Sequence, residues 1–97
     1  MKYIMGGRGV GKTTEIVKEV IDNDGILVTF SYREAKRIES IYPELKNRVY
    51  SYESTSGIWA SQGRKVYVDN ADYILRVLLK REIETVSFNI GDINQLG

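Results

Sequence analysis

The chain has 97 residues, enough for a single small domain near the lower limit at which an apolar core sustains a fold. Its 14 Lys and Arg against 13 Asp and Glu lack the basic excess from which dedicated nucleic-acid binders draw much of their affinity. The absence of cysteine and histidine excludes disulfides and thiolate metal sites, and removes the usual general base and the commonest zinc ligand. No apolar run approaches the roughly 20 residues that cross a bilayer, and the N-terminus lacks signal-peptide character. A cytoplasmic protein without a membrane partner is expected. No internal repeat, low-complexity tract or linker divides the chain, so residues 1–97 read as one domain.

Lys2 to Met5 reads as a short strand entering a glycine-rich turn. From Lys12 the period changes, and Ile16, Val17, Val20 and Ile21 fall on one face of a helix. That helix is expected to stop near Asp22 to Asp24, with Gly25 at its C-terminal end. Ile26 to Phe30 is a nearly continuous apolar run, the pattern of a strand covered on both faces. Ser31, with Glu34 three residues later, predicts a capping box for a second helix that ends before Pro43. Val49 to Tyr52 reads as a short strand, and the Ser- and Gly-rich segment from Glu53 to Gly63 as a loop. Lys65 to Asp69 is then a strand, Ala71 to about Arg81 a helix with Ile74, Val77 and Leu78 on one face, and Thr85 to Ile90 a last strand. Alternating strands and helices predict an α/β fold with a parallel sheet.

Gly6-Gly7-Arg8-Gly9-Val10-Gly11-Lys12-Thr13 fits the phosphate-binding pattern G-x-x-x-x-G-K-[ST] at every fixed position. Glycines let backbone N–H groups turn inward around a β-phosphate, where a Cβ would crowd the anion. The helix that follows adds its positive end and unpaired amides. Lys12 is positioned to reach the β- and γ-phosphates and the Thr13 hydroxyl to ligate Mg²⁺, with Thr14 next in the cofactor-binding stretch. The alternative is a plain glycine-rich turn with Lys12 solvated; a predicted strand before the motif and a predicted helix after it favour the P-loop. A nucleoside triphosphate, ATP with Mg²⁺, is the expected ligand.

A P-loop works with an acidic residue at the end of a neighbouring strand, and Val66-Tyr67-Val68-Asp69 supplies one. Asp69 is read as a magnesium ligand, with a helix cap as the competing role. Asn70 stands next, where many ATPases of this layout carry a Glu that activates water. An amide can orient water but accepts no proton at neutral pH, and general-base catalysis is worth roughly 10²–10⁴-fold. At the C-terminus Gln95 could contact a γ-phosphate, or belong to a polar tail.

With these elements in order, the chain resembles the first RecA-like domain of superfamily 1 helicases, shortened to its nucleotide-binding core. Residues 6–13 correspond to the family's first motif. Leu27-Val28-Thr29-Phe30-Ser31-Tyr32-Arg33-Glu34-Ala35 resembles the second, which in the family touches single-stranded DNA, although its usual proline and threonine are not evident. Val68-Asp69-Asn70-Ala71 is similar to the Asp-Glu-Ala motif with its Glu replaced, and Gly91-Asp92-Ile93-Asn94-Gln95-Leu96 to the G-D-x-x-Q-L stretch. The resemblance implies a three-layer α/β/α P-loop fold with a mainly parallel sheet of four to five strands, the last strand lying between the P-loop strand and the Asp69 strand. It also implies that Gln95 reports on the γ-phosphate. A second RecA-like domain and its arginines are not expected from a chain ending at residue 97, so a homo-oligomer or partner protein is expected to supply missing catalytic groups. Small phage proteins with a P-loop and a similar Asp-Asn-Ala-Asp stretch look close as well. Thymidine kinase shares the run Lys12 to Glu15, but its lid and zinc site do not fit this chain.

Two functions follow from these residues. One is a weak or partner-dependent ATPase in a nucleic-acid process, with Lys12, Asn70 and Gln95 as its catalytic set. The other is a nucleotide sensor that does not hydrolyse. Tyr50, Tyr52 and Trp59, followed by Arg64 and Lys65, could stack single-stranded bases; anchoring of a loop over the sheet is the reading preferred. Arg8 is read as exposed at a variable position of the motif.

Overall fold

A computed structural model of the chain describes residues 11–85 and residue 87. Helix and strand alternate as the sequence predicts: α1 (Lys12–Asp22), β1 (Ile26–Thr29), α2 (Tyr32–Ile41), a 3-10 turn (Pro43–Leu45), β2 (Val49–Ser51), α3 (Thr55–Ala60), β3 (Val66–Val68) and α4 (Ala71–Leu79). The three strands form one parallel sheet in the order β2-β1-β3. The protein is therefore α/β.

β1 is the axis of the sheet, and all four of its residues are buried. Side chains alternate across a strand, so Leu27 and Thr29 face one way and Ile26 and Val28 the other. Leu27 packs with Ile16, Val17 and Val20 of α1, Ala35 and Ile38 of α2, and Leu45 and Val49. Each aliphatic side chain so buried contributes about 1.5–3 kcal/mol. This cluster of two helices on one sheet face is the main apolar contact of the described residues. α1 buries Ile16, Val17 and Val20, the face its periodicity predicts.

The start of α2 forms half of the expected capping box. Ser31 Oγ accepts the Glu34 N–H at 3.0 Å, a cap worth about 1 kcal/mol. The Glu34 carboxylate does not reach back; it accepts two hydrogen bonds from Arg37, both 2.7 Å. A guanidinium one turn on presents two aligned donors, and a bidentate pair outcompetes a single backbone amide.

The end of α1 differs from expectation in an instructive way. The left-handed residue is Asp24 (φ 53°), and Gly25 N–H closes the turn on the Val20 carbonyl at 3.0 Å. Gly25 is required for another reason: a Cβ there would lie 2.6 Å from the Tyr67 ring and 2.8 Å from the Lys65 carbonyl oxygen. The glycine lets β3 close against the start of β1. At the same amino-terminal edge Asp24 binds both Arg48, ahead of β2, and Arg64, ahead of β3. Desolvation raises the Asp24 pKa, but the two guanidinium groups outweigh it and hold the carboxyl below its ordinary value.

Two further expectations are corrected. Thr55–Ala60 is a helical turn and a half, not loop; it forms because Gly57 lies flat on Tyr50, where a Cβ would come within 2.7 Å of the ring. α4 ends at Leu79, and of its expected apolar face only Ile74 is buried, while Val77 and Leu78 are exposed. The expected strand at Lys2 to Met5 lies outside the described residues, as does most of Thr85 to Ile90; Thr85 and Ser87 are in no regular element.

Gly25→Ala is expected to lower the unfolding free energy by about 1–3 kcal/mol through overpacking against Tyr67 and Lys65, read from urea denaturation. An unchanged midpoint would show that β3 does not need this close approach.

Candidate functional site

Parallel strands share a carboxyl edge, and in open α/β sheets ligands bind there. Here the ends of β1, β2 and β3 lead into α2, α3 and α4 at that edge. The start of α1 reaches it as well. Thr13 Oγ1, in the first turn of α1, donates a 2.8 Å hydrogen bond to Asp69 Oδ2, just past β3 and 56 positions away. The structure thus brings together the two residues singled out from sequence as metal ligands.

Asp69 is 4% exposed. Its N–H donates to the Val28 carbonyl at 2.9 Å, so the ladder to β1 fixes its backbone while Thr13 holds its carboxylate. A buried carboxylate depends on such hydrogen bonds to satisfy its oxygens. The competing role, a cap for α4, is not taken: the N-cap of α4 is Asn70, and no side-chain hydrogen bond caps that helix.

Gly11 stands at the N-cap of α1 in the left-handed region, with φ 76° and ψ 24°. Among the described residues nothing lies within 4 Å of the place a Cβ would occupy, and the positive φ itself calls for glycine. No side chain caps α1, and its first intrahelical bond to Gly11 is made by the Glu15 N–H at 3.1 Å. The amides ahead of Glu15 have no intrahelical acceptor and carry the partial positive charge of the helix end. Lys12 and Thr13 are half-buried in this turn and Thr14 is exposed. Gly6, Gly7, Arg8, Gly9 and Val10 lie outside the described residues, as does Gln95.

A hydroxyl and a carboxylate are hard oxygen donors of the kind Mg²⁺ takes. Adjacent oxygens around an octahedral Mg²⁺ with ligands at about 2.1 Å lie about 3 Å apart, and the 2.8 Å between Thr13 Oγ1 and Asp69 Oδ2 fits that spacing. Among the described residues no group of three or more His, Cys, Asp or Glu gathers to hold a metal. A cation here would take its other ligands from phosphate and water, as Mg²⁺ commonly does.

Asn70 has φ 57° and ψ 46°, the left-handed region. Asn is among the few residues that tolerate this conformation. The sequence reading treated Asn70 as a missing catalytic Glu; the backbone supplies an independent reason for the amide residue. Tyr73, in the first turn of α4, stacks obliquely on Phe30 with ring centroids 4.7 Å apart, which ties α4 to the strand end beside the site.

The aromatic and basic residues of 50–65 do not gather. Tyr50 lies beneath Gly57 and its hydroxyl donates to the Asn47 carbonyl at 3.3 Å, so it anchors structure. Arg64 turns to Asp24 at the opposite edge of the sheet. Trp59, in contrast, is 73% exposed and anchors nothing. Thr29, read from sequence only as part of a strand and of the stretch resembling the family's second motif, is buried at the carboxyl end of β1, and among the described residues its hydroxyl has no hydrogen-bond partner. Its signal was a lone hydroxyl within the apolar run Ile26 to Phe30.

No protein-family model matches the chain, and neither the curated proteins nor the solved structures searched include a match.

The backbone at Asn70 generates a prediction independent of any ligand. Asn70→Gly should leave the thermal midpoint nearly unchanged, whereas Asn70→Glu should cost about 1–2 kcal/mol because a longer L side chain resists the left-handed region. Equal midpoints for the two variants would show that this conformation is not a constraint in solution.

Proposed function

We propose that the chain is a P-loop protein that binds MgATP and hydrolyses it weakly or only with a partner, in a helicase-like nucleic-acid process. The observation that carries this reading is the Thr13–Asp69 hydrogen bond. It joins the end of a glycine-lysine-threonine motif to the one carboxylate expected from a second motif, at the edge where α/β sheets bind ligands. A left-handed Gly11 and an uncapped α1 support the same reading.

In this reading the backbone of Gly6 to Gly11 and the first amides of α1 hold the phosphates, and Lys12 neutralises the β- and γ-oxygens. Thr13 and Asp69 would hold Mg²⁺, which would supply positive charge to offset that of the phosphates. Asn70 orients water without taking its proton, and Gln95 contacts the γ-phosphate. The full fold proposed is a three-layer sandwich with four to five strands. Support comes from β3, whose ladder bonds among the described residues run to β1 alone; Val66 and Val68, on the face away from the α1–α2 core, are exposed. That free edge suits further strands; the one expected from Lys2 to Met5 lies outside the described residues, and Thr85 and Ser87 of the other are in no regular element. Likeness to the first RecA-like domain of superfamily 1 helicases supplies the process, and the residues of a homo-oligomer or partner protein supply the remaining catalytic groups. Asn70 specifically favours a second reading, a nucleotide sensor without turnover.

MgATP binding and phosphate release by the purified chain test both readings. Lys12→Ala is expected to weaken binding roughly 10- to 100-fold, the loss of a charge-assisted contact of about 1.5–3 kcal/mol. Release above the Lys12→Ala background establishes the ATPase, binding without release establishes the sensor, and no binding rejects the P-loop assignment. Asn70→Glu separates the causes of slow turnover: a rise of roughly 10²-fold or more would identify the base as the missing group, and no rise would identify groups from a partner.

A further inference from the structure

Ser51, Thr29 and Asp69 stand side by side across β2, β1 and β3. Thr29 is in register with Ser51. Asp69 follows the Val28–Val68 pair by one residue and its N–H donates to the Val28 carbonyl, which places it beside Thr29 at the strand spacing of about 4.8 Å. Leu27 and Tyr67, two residues earlier on their strands, both pack in the α1–α2 core. By alternation the three polar residues face that same side, where Thr13 of α1 meets Asp69. All three are sealed from solvent, with Thr29 at 0%, Ser51 at 3% and Asp69 at 4% exposure.

Their hydrogen bonds are unequal. Ser51 Oγ accepts the Glu53 N–H at 3.1 Å, and the Asp69 carboxylate accepts from Thr13. Among the described residues Thr29 Oγ1 has no partner. A buried hydroxyl without a hydrogen bond is destabilising, and valine has the same shape and a similar preference for strands. The described residues therefore give no reason for the hydroxyl. Its neighbour in the row gives one, because carboxylates that ligate a metal are themselves oriented by hydrogen bonds from a surrounding layer of donors.

We infer that Thr29 is a positioning residue for the Asp69 carboxylate: its hydroxyl donates to Asp69, directly or through one water, when a divalent cation is held by Thr13 and Asp69. The inference rests on the cation role proposed for those two residues. It adds a third member to the site, drawn from the central strand and not from either motif. The hydroxyl is silent in the fold and active only toward the loaded site, so its two effects have opposite signs.

The test uses the full chain with ATP at constant concentration, titrated with Mg²⁺, alongside urea unfolding without nucleotide or cation. Thr29→Val should be at least as stable as the wild type in the unfolding measurement, yet need roughly 10- to 100-fold more Mg²⁺ to support ATP binding. Thr29→Ser, which keeps the hydroxyl, should restore the Mg²⁺ requirement to near that of the wild type. Asp69→Asn is the control for the cation site itself. Wild-type Mg²⁺ affinity in Thr29→Val, with affinity lost in Asp69→Asn, would overturn the role of Thr29 and leave the proposed site standing. Parallel losses of stability and affinity in Thr29→Val, unrelieved by Thr29→Ser, would assign Thr29 a packing role and overturn it too. If the wild type shows no Mg²⁺-dependent ATP binding, the proposed function fails and this inference fails with it.

Discussion

The bond between Thr13 and Asp69 spans 56 positions and sets the geometry of the whole carboxyl edge. It is possible only because two other contacts agree. α1 must lie along β1, which Val17 and Val20 ensure by packing around Leu27. β3 must lie beside β1 in one register, which the ladder from Lys65 to Asp69 and the glycine at position 25 ensure. If β3 slipped by one residue against β1, alternation would turn Asp69 to the other face of the sheet. A polar pair at the surface of the core thus depends on apolar packing two turns away from it.

Much of this was legible in the sequence, for identifiable reasons. The buried face of α1, the doubly covered β1, the Ser31 cap and the halt before Pro43 each rest on a local rule with little competition. The pairing of Thr13 with Asp69 was legible because two motifs of different chemistry implied one ligand. What escaped notice depended on contacts distant in sequence. Gly25 looks like a helix stop until Tyr67 is placed against it. Thr55–Ala60 has no periodic apolar face and contains a glycine, and only the Tyr50 ring beneath it explains the turn. The sequence groups Ile74, Val77 and Leu78 on one face of α4, but burial is a property of neighbours, and of the three only Ile74 is buried. The glycine-rich residues 6–10 and Gln95 lie beyond what the structure describes, so half of the sequence argument for the site stands on residue pattern alone.

Asn70 shows how one position can answer to two constraints. From sequence it reads as a substitution within a catalytic motif. From the backbone it reads as one of the few residues that accept a left-handed turn between β3 and α4. The two accounts do not compete, since a residue chosen for conformation still presents its amide to whatever sits at the strand end. Thr29 is the complementary case, a side chain whose cost appears in the fold and whose use must be sought in the site.

The lone tryptophan of the chain, Trp59, has a spectroscopic consequence. An indole 73% exposed in the native fold already emits in an almost aqueous environment. Unfolding can therefore shift its emission wavelength little, whereas a molecule that buried the indole would shift it to shorter wavelength. The protein carries an optical reporter that is nearly blind to its own denaturation and responsive to company.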